Sequence, residues 1–323
     1  MTNQDNKDNR AANTPEWIVC TLFEGDYHFG LAALINSLVS NGFQGCIAVG
    51  YRGSLPPWIN QLTFLGSNGD YTVCPGVRLT FILLDTPLHF ANFKPAFMQH
   101  LLHDHPACKC IWYFDPDIVI RCSWSFYVRW VQHGIALCED VNGTLPENHP
   151  LRCNWIELAS ASGLENPAPL REYYNSGFIG VPASCTGFLE IWQAAMRIAE
   201  SEGFNPCTFT IESWTRSDPF FRGDQDALNI AAMYSRYPLT TIGPDGMDFA
   251  PGGSTMFHAV ASPKPWRKNM LLSALGGFPP SASDKAFLAH SSSPIRSYSR
   301  IQLIVRRLSC NVGALMGRFY HRY

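Results

Sequence analysis

The sequence predicts an α/β fold built on a parallel sheet, and three observations lead there. Residues 17 to 50 read as strand, loop, helix and strand, the βαβ signature of parallel pairing. Further apolar runs without helical period, Leu79–Leu84, Ile111–Phe114 and Ile118–Ile120, have the length and composition of buried strands. With 46% hydrophobic and 15% charged residues over 323 positions, the chain can build one large α/β domain or two smaller ones.

In order, Met1 to Thr14 is rich in Asn, Asp, Gln and Lys and is expected to be disordered. Met1 to Glu16 lacks an apolar core of the kind a signal peptide needs. Trp17–Leu22 is a strand and Phe23–His28 the loop after it. Leu31, Leu34, Ile35, Leu38 and Val39 then mark a helix that Gly42 stops, and Cys46–Gly50 is the next strand. Ligands of parallel sheets lie at the carboxyl ends of strands, so Phe23–His28 is a candidate nucleotide loop in which Tyr27 stacks on a base. The plainer reading makes Tyr27 a lid on the helix and His28 an exposed loop histidine.

Leu79–Leu84 is followed by a helix over Phe93–Leu102, with Lys94-Pro95 placed in its first turn. His103-Asp104-His105 ends that helix and reads as a solvated cap rather than a metal site. Trp124–Val131 is a helix and Gly134–Asp140 a strand. Residues 141 to 169 show no clear period and read as a long functional loop, a wall on the acceptor side. Tyr173–Val181 enters a strand through Asn175-Ser176-Gly177. Phe188, Leu189, Trp192, Ala195, Met196 and Ala199 form the core stripe of a helix. Asp224-Gln225-Asp226 opens another helix, where acids suit the dipole. Leu239–Ile242 and Thr255–His258 are short strands around a flexible Gly243–Gly253 loop. Pro279–Ser293 is linker-like. Beyond it, Arg296, Arg300, Arg306, Arg307, Arg318 and Arg322 are interleaved with apolar residues and no acid. Such a basic amphipathic segment either lies on an anionic membrane or packs on the domain. The expected division is residues 1–16 disordered, 17–270 the folded domain, and 271–323 a linker and basic tail.

A net charge of −2 argues against a nucleic-acid partner. The eleven cysteines are an odd, scattered set without a Cys-x-x-Cys pair, which fits reduced thiols in a cytoplasmic setting. No run of about 18 apolar residues predicts a membrane span.

The motif with most chemistry is Asp115-Pro116-Asp117, set between two apolar strands. Burying an unpaired carboxylate costs on the order of several kcal/mol, so these acids belong at a strand exit facing a partner. Residues two apart on an extended chain point the same way, and Pro116 restrains the backbone between them. Two carboxylates held like this suit Mn²⁺ or Mg²⁺, while the bland alternative is a surface Asp-Pro turn.

Five features occur in one order: the Tyr27 loop, Asp115-Pro-Asp117, Asn175-Ser-Gly177, Asp224-Gln-Asp226, and His258 six residues before Lys264 in a Lys-Pro-Trp. Over about Trp17 to Trp266 this set resembles the GT-A nucleotide-sugar glycosyltransferases, most closely the glycosyltransferase family 8 group (glycogenin and the bacterial lipopolysaccharide galactosyltransferases). The resemblance implies a GT-A fold with a mixed, mostly parallel sheet flanked by helices. It also implies metal-dependent, retaining transfer of a hexose from a nucleotide sugar, a UDP-hexose, to a glycan, lipid-linked or protein acceptor in surface-glycan or lipopolysaccharide synthesis. By the same resemblance Asp115, Asp117 and His258 hold Mn²⁺ or Mg²⁺. Thr21, Tyr27, Asp115 and Lys264 hold the nucleotide diphosphate, and Asp140, Asn175 and Asp226 lie at the donor sugar. Gln225 and Asp224 sit at the reacting carbon, with same-face attack favoured and Asp224 the alternative covalent nucleophile. Three stretches depart from the family pattern: Leu22-Phe23-Glu24-Gly25 is less polar, Ser262-Pro263 replaces a glycine, and the segment before the Asp-x-Asp has Lys94 where an arginine is typical. Two other readings are a catalytically inactive sugar-nucleotide-binding partner and a nucleotidyltransferase, though the latter wants a glycine-rich loop that Phe23–His28 does not provide. A dehydrogenase would want Gly-x-Gly-x-x-Gly there, which is also absent.

Overall fold

The structure is a computed structural model and describes residues 16–66, 69–141, 145–209 and 212–319. The disorder expected for Met1 to Thr14, and Arg322, lie outside the described residues.

Along the chain the strands and helices are β1 (Trp17–Glu24), α1 (His28–Ser40), β2 (Gly45–Arg52), β3 (Thr63–Phe64), β4 (Asp70–Cys74), β5 (Val77–Leu83), α2 (Phe90–Asp104), β6 (Cys110–Phe114), β7 (Ile118–Ile120) and α3 (Trp124–Val131). They continue with β8 (Ile135–Glu139), α4 (Pro150–Ala161), β9 (Tyr174–Pro182), α5 (Gly187–Ser201), α6 (Asp224–Tyr234), β10 (Leu239–Ile242), β11 (Met256–His258), α7 (Met270–Leu275), α8 (Ala282–Ala289) and α9 (Arg300–Met316). The chain divides into two compact units, each built from three separate segments. One holds residues up to Cys20, Asp85–Phe114 and Tyr127–Gly243. The other holds Thr21–Leu84, Asp115–Phe126 and residues from Pro244 onward.

In the first unit the strand order is β10-β8-β9-β6-β1. β10 pairs in parallel with β8, and β1 with β6, while β9 runs antiparallel to both β6 and β8. Four strands therefore share one direction and β9 alone opposes it. Every residue of β6 is buried, and so is every residue of α6, including Asp224, Gln225, Asp226 and Asn229. A helix buried all round must find internal partners for its polar side chains, because leaving them unpaired in the core is costly. In the second unit β2 pairs in parallel with β5, and β4 runs antiparallel to β5 and β3. A separate two-stranded ladder joins β7 and β11. Its core gathers Ala33, Val119, Trp266, Met270, Phe287, Leu288 and Leu303. The fold is α/β, with a mixed, mostly parallel sheet flanked by helices.

Three local expectations need correction, and one stretch carries none. The helix read as Phe93–Leu102 begins at Phe90, where the ring of His89 caps it by accepting from the Ala91 amide, so Pro95 lies inside the helix rather than in its first turn. Residues 141 to 169 are not one loop, since they contain α4. Its buried positions are Arg152, Trp155 and Ala159, a helical spacing whose first member is charged and therefore invisible to an apolar pattern. Pro279–Ser293 is not a linker. α8 forms there on a reciprocal cap between Ser281 and Asp284, a device sequence composition alone conceals. Residues 51–78, given no elements by the sequence, contain the β3–β4 hairpin against β5.

Candidate functional site

The second unit brings Asp115, Asp117 and His258 together. The β7–β11 ladder does this by register: His258 stands opposite Ile118, one residue beyond Asp117, and the Ala259 amide donates to the Asp117 carbonyl at 3.1 Å. The turn itself is pinned from below. The Ile118 amide bonds the Asp115 carbonyl at 3.0 Å, and a Cβ on Gly30 of α1 would come within 2.3 Å of the Pro116 carbonyl. Only glycine lets α1 approach that closely.

One ligand atom from each of Asp115, Asp117 and His258 lies within 4.8 Å of the other two, and this is the metal-type cluster among the described residues. His258 Nε2 stands 3.3 Å from Asp117 Oδ1 and 3.7 Å from Asp115 Oδ2. Lys264 Nζ pairs with Asp117 Oδ2 at 2.6 Å and donates to the Ala259 carbonyl at 2.8 Å. Burial pushes the Asp117 carboxyl up, but His258 and Lys264 outweigh it and hold the group well below the usual carboxylate range. Burial likewise opposes charge on Lys264, yet Asp117 raises its pKa overall. Asp117 Oδ1, 3.3 Å from His258 Nε2, and His258 Nδ1 are nevertheless buried without a hydrogen-bond partner among the described residues. Two carboxylates, one with an unsatisfied oxygen, and one imidazole make a donor set that fits a divalent cation.

Around this cluster Tyr27 meets Trp266 edge-on at 5.1 Å, and Arg267 stands over the Tyr27 ring at 5.8 Å while pairing with Asp26. Burial raises the Tyr27 hydroxyl pKa. Thr21 is fully buried, with no hydrogen-bond partner for its hydroxyl among the described residues. His103 and His100, by contrast, are exposed and only flank Asp104, as a solvated helix end requires.

The first unit brings together Asp140, Asn175, Asp224, Gln225 and Asp226. Gly223, at φ +47°, precedes α6 and turns its acids inward; a Cβ there would meet the Phe204 ring at 2.6 Å. Asn175 donates to Asp140 at 2.7 Å and its own oxygen accepts from the Gly177 amide at 2.9 Å. Gln225 accepts from the Ser176 amide at 3.2 Å. Asp226 accepts from the Tyr173 hydroxyl at 2.6 Å and the Arg222 amide at 2.7 Å. Burial raises its carboxyl to about 7, against the lowering by those two donors.

Sequence reasoning placed Lys94 only as a stand-in for an arginine. It is 3% exposed, forms an ion pair with Asp224 at 3.0 Å and donates to the Ser176 carbonyl at 3.1 Å. Arg222, 3.4 Å from Asp140, and Tyr173 were missed altogether, because neither residue type nor spacing sets them apart before α6 is seen against β9. Leu145, His149, Tyr173, Arg216, Arg222 and Asp226 line a cavity of about 220 Å³ in this unit.

The fold is the GT-A fold of nucleotide-sugar glycosyltransferases. No protein-family profile and no curated protein sequence matches the chain. Among solved structures it is similar to WbbM, a bifunctional glycosyltransferase, at 17% identity and TM-score 0.54, over 90% of this chain and 52% of WbbM. It is also similar to the glycosyltransferase GlyE of Streptococcus pneumoniae TIGR4, at 13% identity and TM-score 0.50, over 91% of this chain and 64% of GlyE. The chain thus spans about half to two thirds of the length of these proteins.

Proposed function

We propose that this chain is a metal-dependent, retaining glycosyltransferase of the family 8 kind, moving a hexose from a UDP-hexose to a hydroxyl of a glycan acceptor, in surface-glycan or lipopolysaccharide synthesis. The observation that carries the reading is the cluster of Asp115, Asp117 and His258 with Lys264 beside it. The departing group is a nucleotide diphosphate, which gains negative charge as the glycosidic bond breaks. Asp115, Asp117 and His258 would hold Mn²⁺ or Mg²⁺, which when bound supplies Lewis-acid stabilisation of that charge. Lys264 adds a fixed positive charge that is already desolvated and needs no reorganisation during reaction. Tyr27 and Thr21 hold the nucleotide, and Asp140, Asn175 and Asp226 hold the donor hexose.

Gln225 lies beside the reacting carbon, oriented by the Ser176 amide. Asp224 is held by Lys94 in a fully buried ion pair, which favours same-face attack over attack by its carboxylate. In that route the acceptor hydroxyl gives its proton to the departing phosphate oxygen and keeps the configuration of the sugar. The cavity beside Tyr173 and Arg222 takes the acceptor, with the segment around His149 as its wall. All eleven cysteines are free, which supports a reducing, cytoplasmic setting.

The test is hexose transfer, or hydrolysis, from a panel of nucleotide sugars with Mn²⁺ and with chelator, in the wild type and Asp117→Ala. The reading expects turnover only for the metal-loaded wild type. Undiminished turnover with chelator and in Asp117→Ala ends it.

A further inference from the structure

Helix α9 carries two apolar stripes, and only one of them is covered. Leu303 and Cys310, seven residues apart and so on one face, are buried in the core with Trp266, Phe287 and Leu288. Ile301, Ile304, Val305, Leu308, Val312 and Leu315 recur at helical spacing on the opposite face and are 48% to 75% exposed. A helix that merely roofs a core turns polar side chains outward; this one turns aliphatic ones outward along its whole length. Further exposed apolar side chains lie past its end in Phe319, 81% exposed, on α7 in Leu272, 65% exposed, and after α7 in Phe278, 73% exposed. α7 packs on α9 at Gly313, where a Cβ would approach the Met270 carbonyl to 2.9 Å.

The charge beside this stripe has one sign. From Arg300 to Phe319 there are four arginines and no acid. Arg306 is committed to the Trp266 carbonyl and the Tyr298 ring. Arg307 is exposed on one flank of the stripe but donates to the Leu288 and Ala289 carbonyls and the Ser292 hydroxyl, while Arg300 is exposed on the same flank and Arg318 just beyond the helix. Among the described residues no helix is long and apolar enough to cross a membrane. An exposed aliphatic face edged by arginines suits a helix lying in the headgroup region, its face in the acyl boundary and its guanidinium groups on lipid phosphates. Two copies of the chain paired through this stripe would bring like-charged flanks together, which disfavours a dimer.

We propose that the outward stripe of α9 docks on an anionic phospholipid bilayer. Docking of this kind is independent of the transfer chemistry and survives its failure. The test is flotation of the full chain with vesicles of phosphatidylcholine alone, and with about one third phosphatidylglycerol added. Capture on the anionic vesicles is expected to exceed that on the neutral ones by about tenfold and to fall steeply in ~1 M salt, where the screening length is about 3 Å.

The double substitution Ile304→Asp, Leu308→Asp should lower capture by about tenfold or more. Its thermal unfolding should match the wild type, because both side chains already face solvent. Val305→Gln with Val312→Gln repeats the test should the aspartates disturb folding. Arg300→Glu with Arg318→Glu should weaken capture about fivefold or more, for the anionic vesicles only. Equal capture on neutral vesicles, or wild-type capture by the stripe variants, overturns the proposal. So does a lipid-free dimer, seen by velocity sedimentation, that the stripe variants dissolve, since a second copy would then be the occupant.

Discussion

The two polar clusters are both buried, but they are finished to different degrees. In the first unit most groups around α6 have a partner: Asp226 accepts from Tyr173 and Arg222 and Asn175 donates to Asp140, while Asp224 Oδ2 faces Lys94 at 3.0 Å without a hydrogen bond among the described residues. In the second unit Asp117 and Lys264 pair tightly, yet Asp117 Oδ1 and His258 Nδ1 stay buried without a hydrogen bond among the described residues. A folded core does not leave such atoms bare for stability's sake, since each costs on the order of 1–3 kcal/mol. The first cluster is tied by more hydrogen bonds and makes a rigid seat, whereas in the second the unsatisfied atoms belong to two of the three metal-type side chains, where a ligand would supply the missing contact.

The largest effect that would separate the two is on activity. Asp117→Asn should lower transfer by a factor of about 10² to 10³ or more, the usual scale for removing a group that stabilises developing charge. In the wild type, Mn²⁺ at a hundred times its dissociation constant should raise unfolding stability by about 2.7 kcal/mol, and this gain should vanish in Asp117→Asn and in chelator. An equal gain in the variant would mean that the incomplete cluster is not the metal site.

The next effect is on stability and strikes the finished cluster. Lys94→Met leaves Asp224 buried without its counter-charge and should cost about 3–5 kcal/mol in urea unfolding, whereas Lys94→Arg should recover part of it. A loss below about 1 kcal/mol would show that Asp224 is not held as an ion pair.

A smaller effect is a pH signature. Burial raises the folded carboxyl of Asp226 to about 7 from an ordinary 3.8. The folded state therefore binds more protons than the unfolded chain between those values, and stability falls as pH rises from about 4 to about 7. The fall is at most about 4 kcal/mol at 1.36 kcal/mol per pKa unit. Asp226→Asn should flatten that slope, as read from unfolding midpoints at pH 5 and about pH 8. Asp117 has the opposite sign: its lowered carboxyl contributes stability above its unfolded value that is lost only as the solution becomes strongly acidic.

The smallest effect belongs to the exposed Arg267–Asp26 pair, where Arg267→Ala should change stability by only a few tenths of a kcal/mol. A larger loss would place Arg267 in the Tyr27–Trp266 packing rather than in a surface ion pair.

Much was legible before any coordinates because it depends on local rules. α1, α3, β5 to β8 and β10 follow from apolar period and run length, and Asp115-Pro-Asp117 stands out because acids interrupt a buried strand. α4 was not legible, since its inward stripe includes Arg152, whose guanidinium is satisfied by the Leu145 and Glu172 carbonyls rather than marked by hydrophobicity. α8 was hidden in a Ser- and Ala-rich stretch, and its boundary is set by the Ser281–Asp284 cap.

By itself the sequence determined the alternation of strands and helices, the low charge that leaves room for a core, and which side chains carry chemistry. It could not determine which of those side chains meet. His258 reaches Asp117 through the register of β11 on β7, Lys94 reaches Asp224 across α2 and α6, and the outward stripe of α9 is distinguished from its core stripe only by what covers one and not the other. Local propensity acts over a few residues, whereas register, close approach at Gly30 and burial are properties of segments far apart in the chain, decided only when they pack.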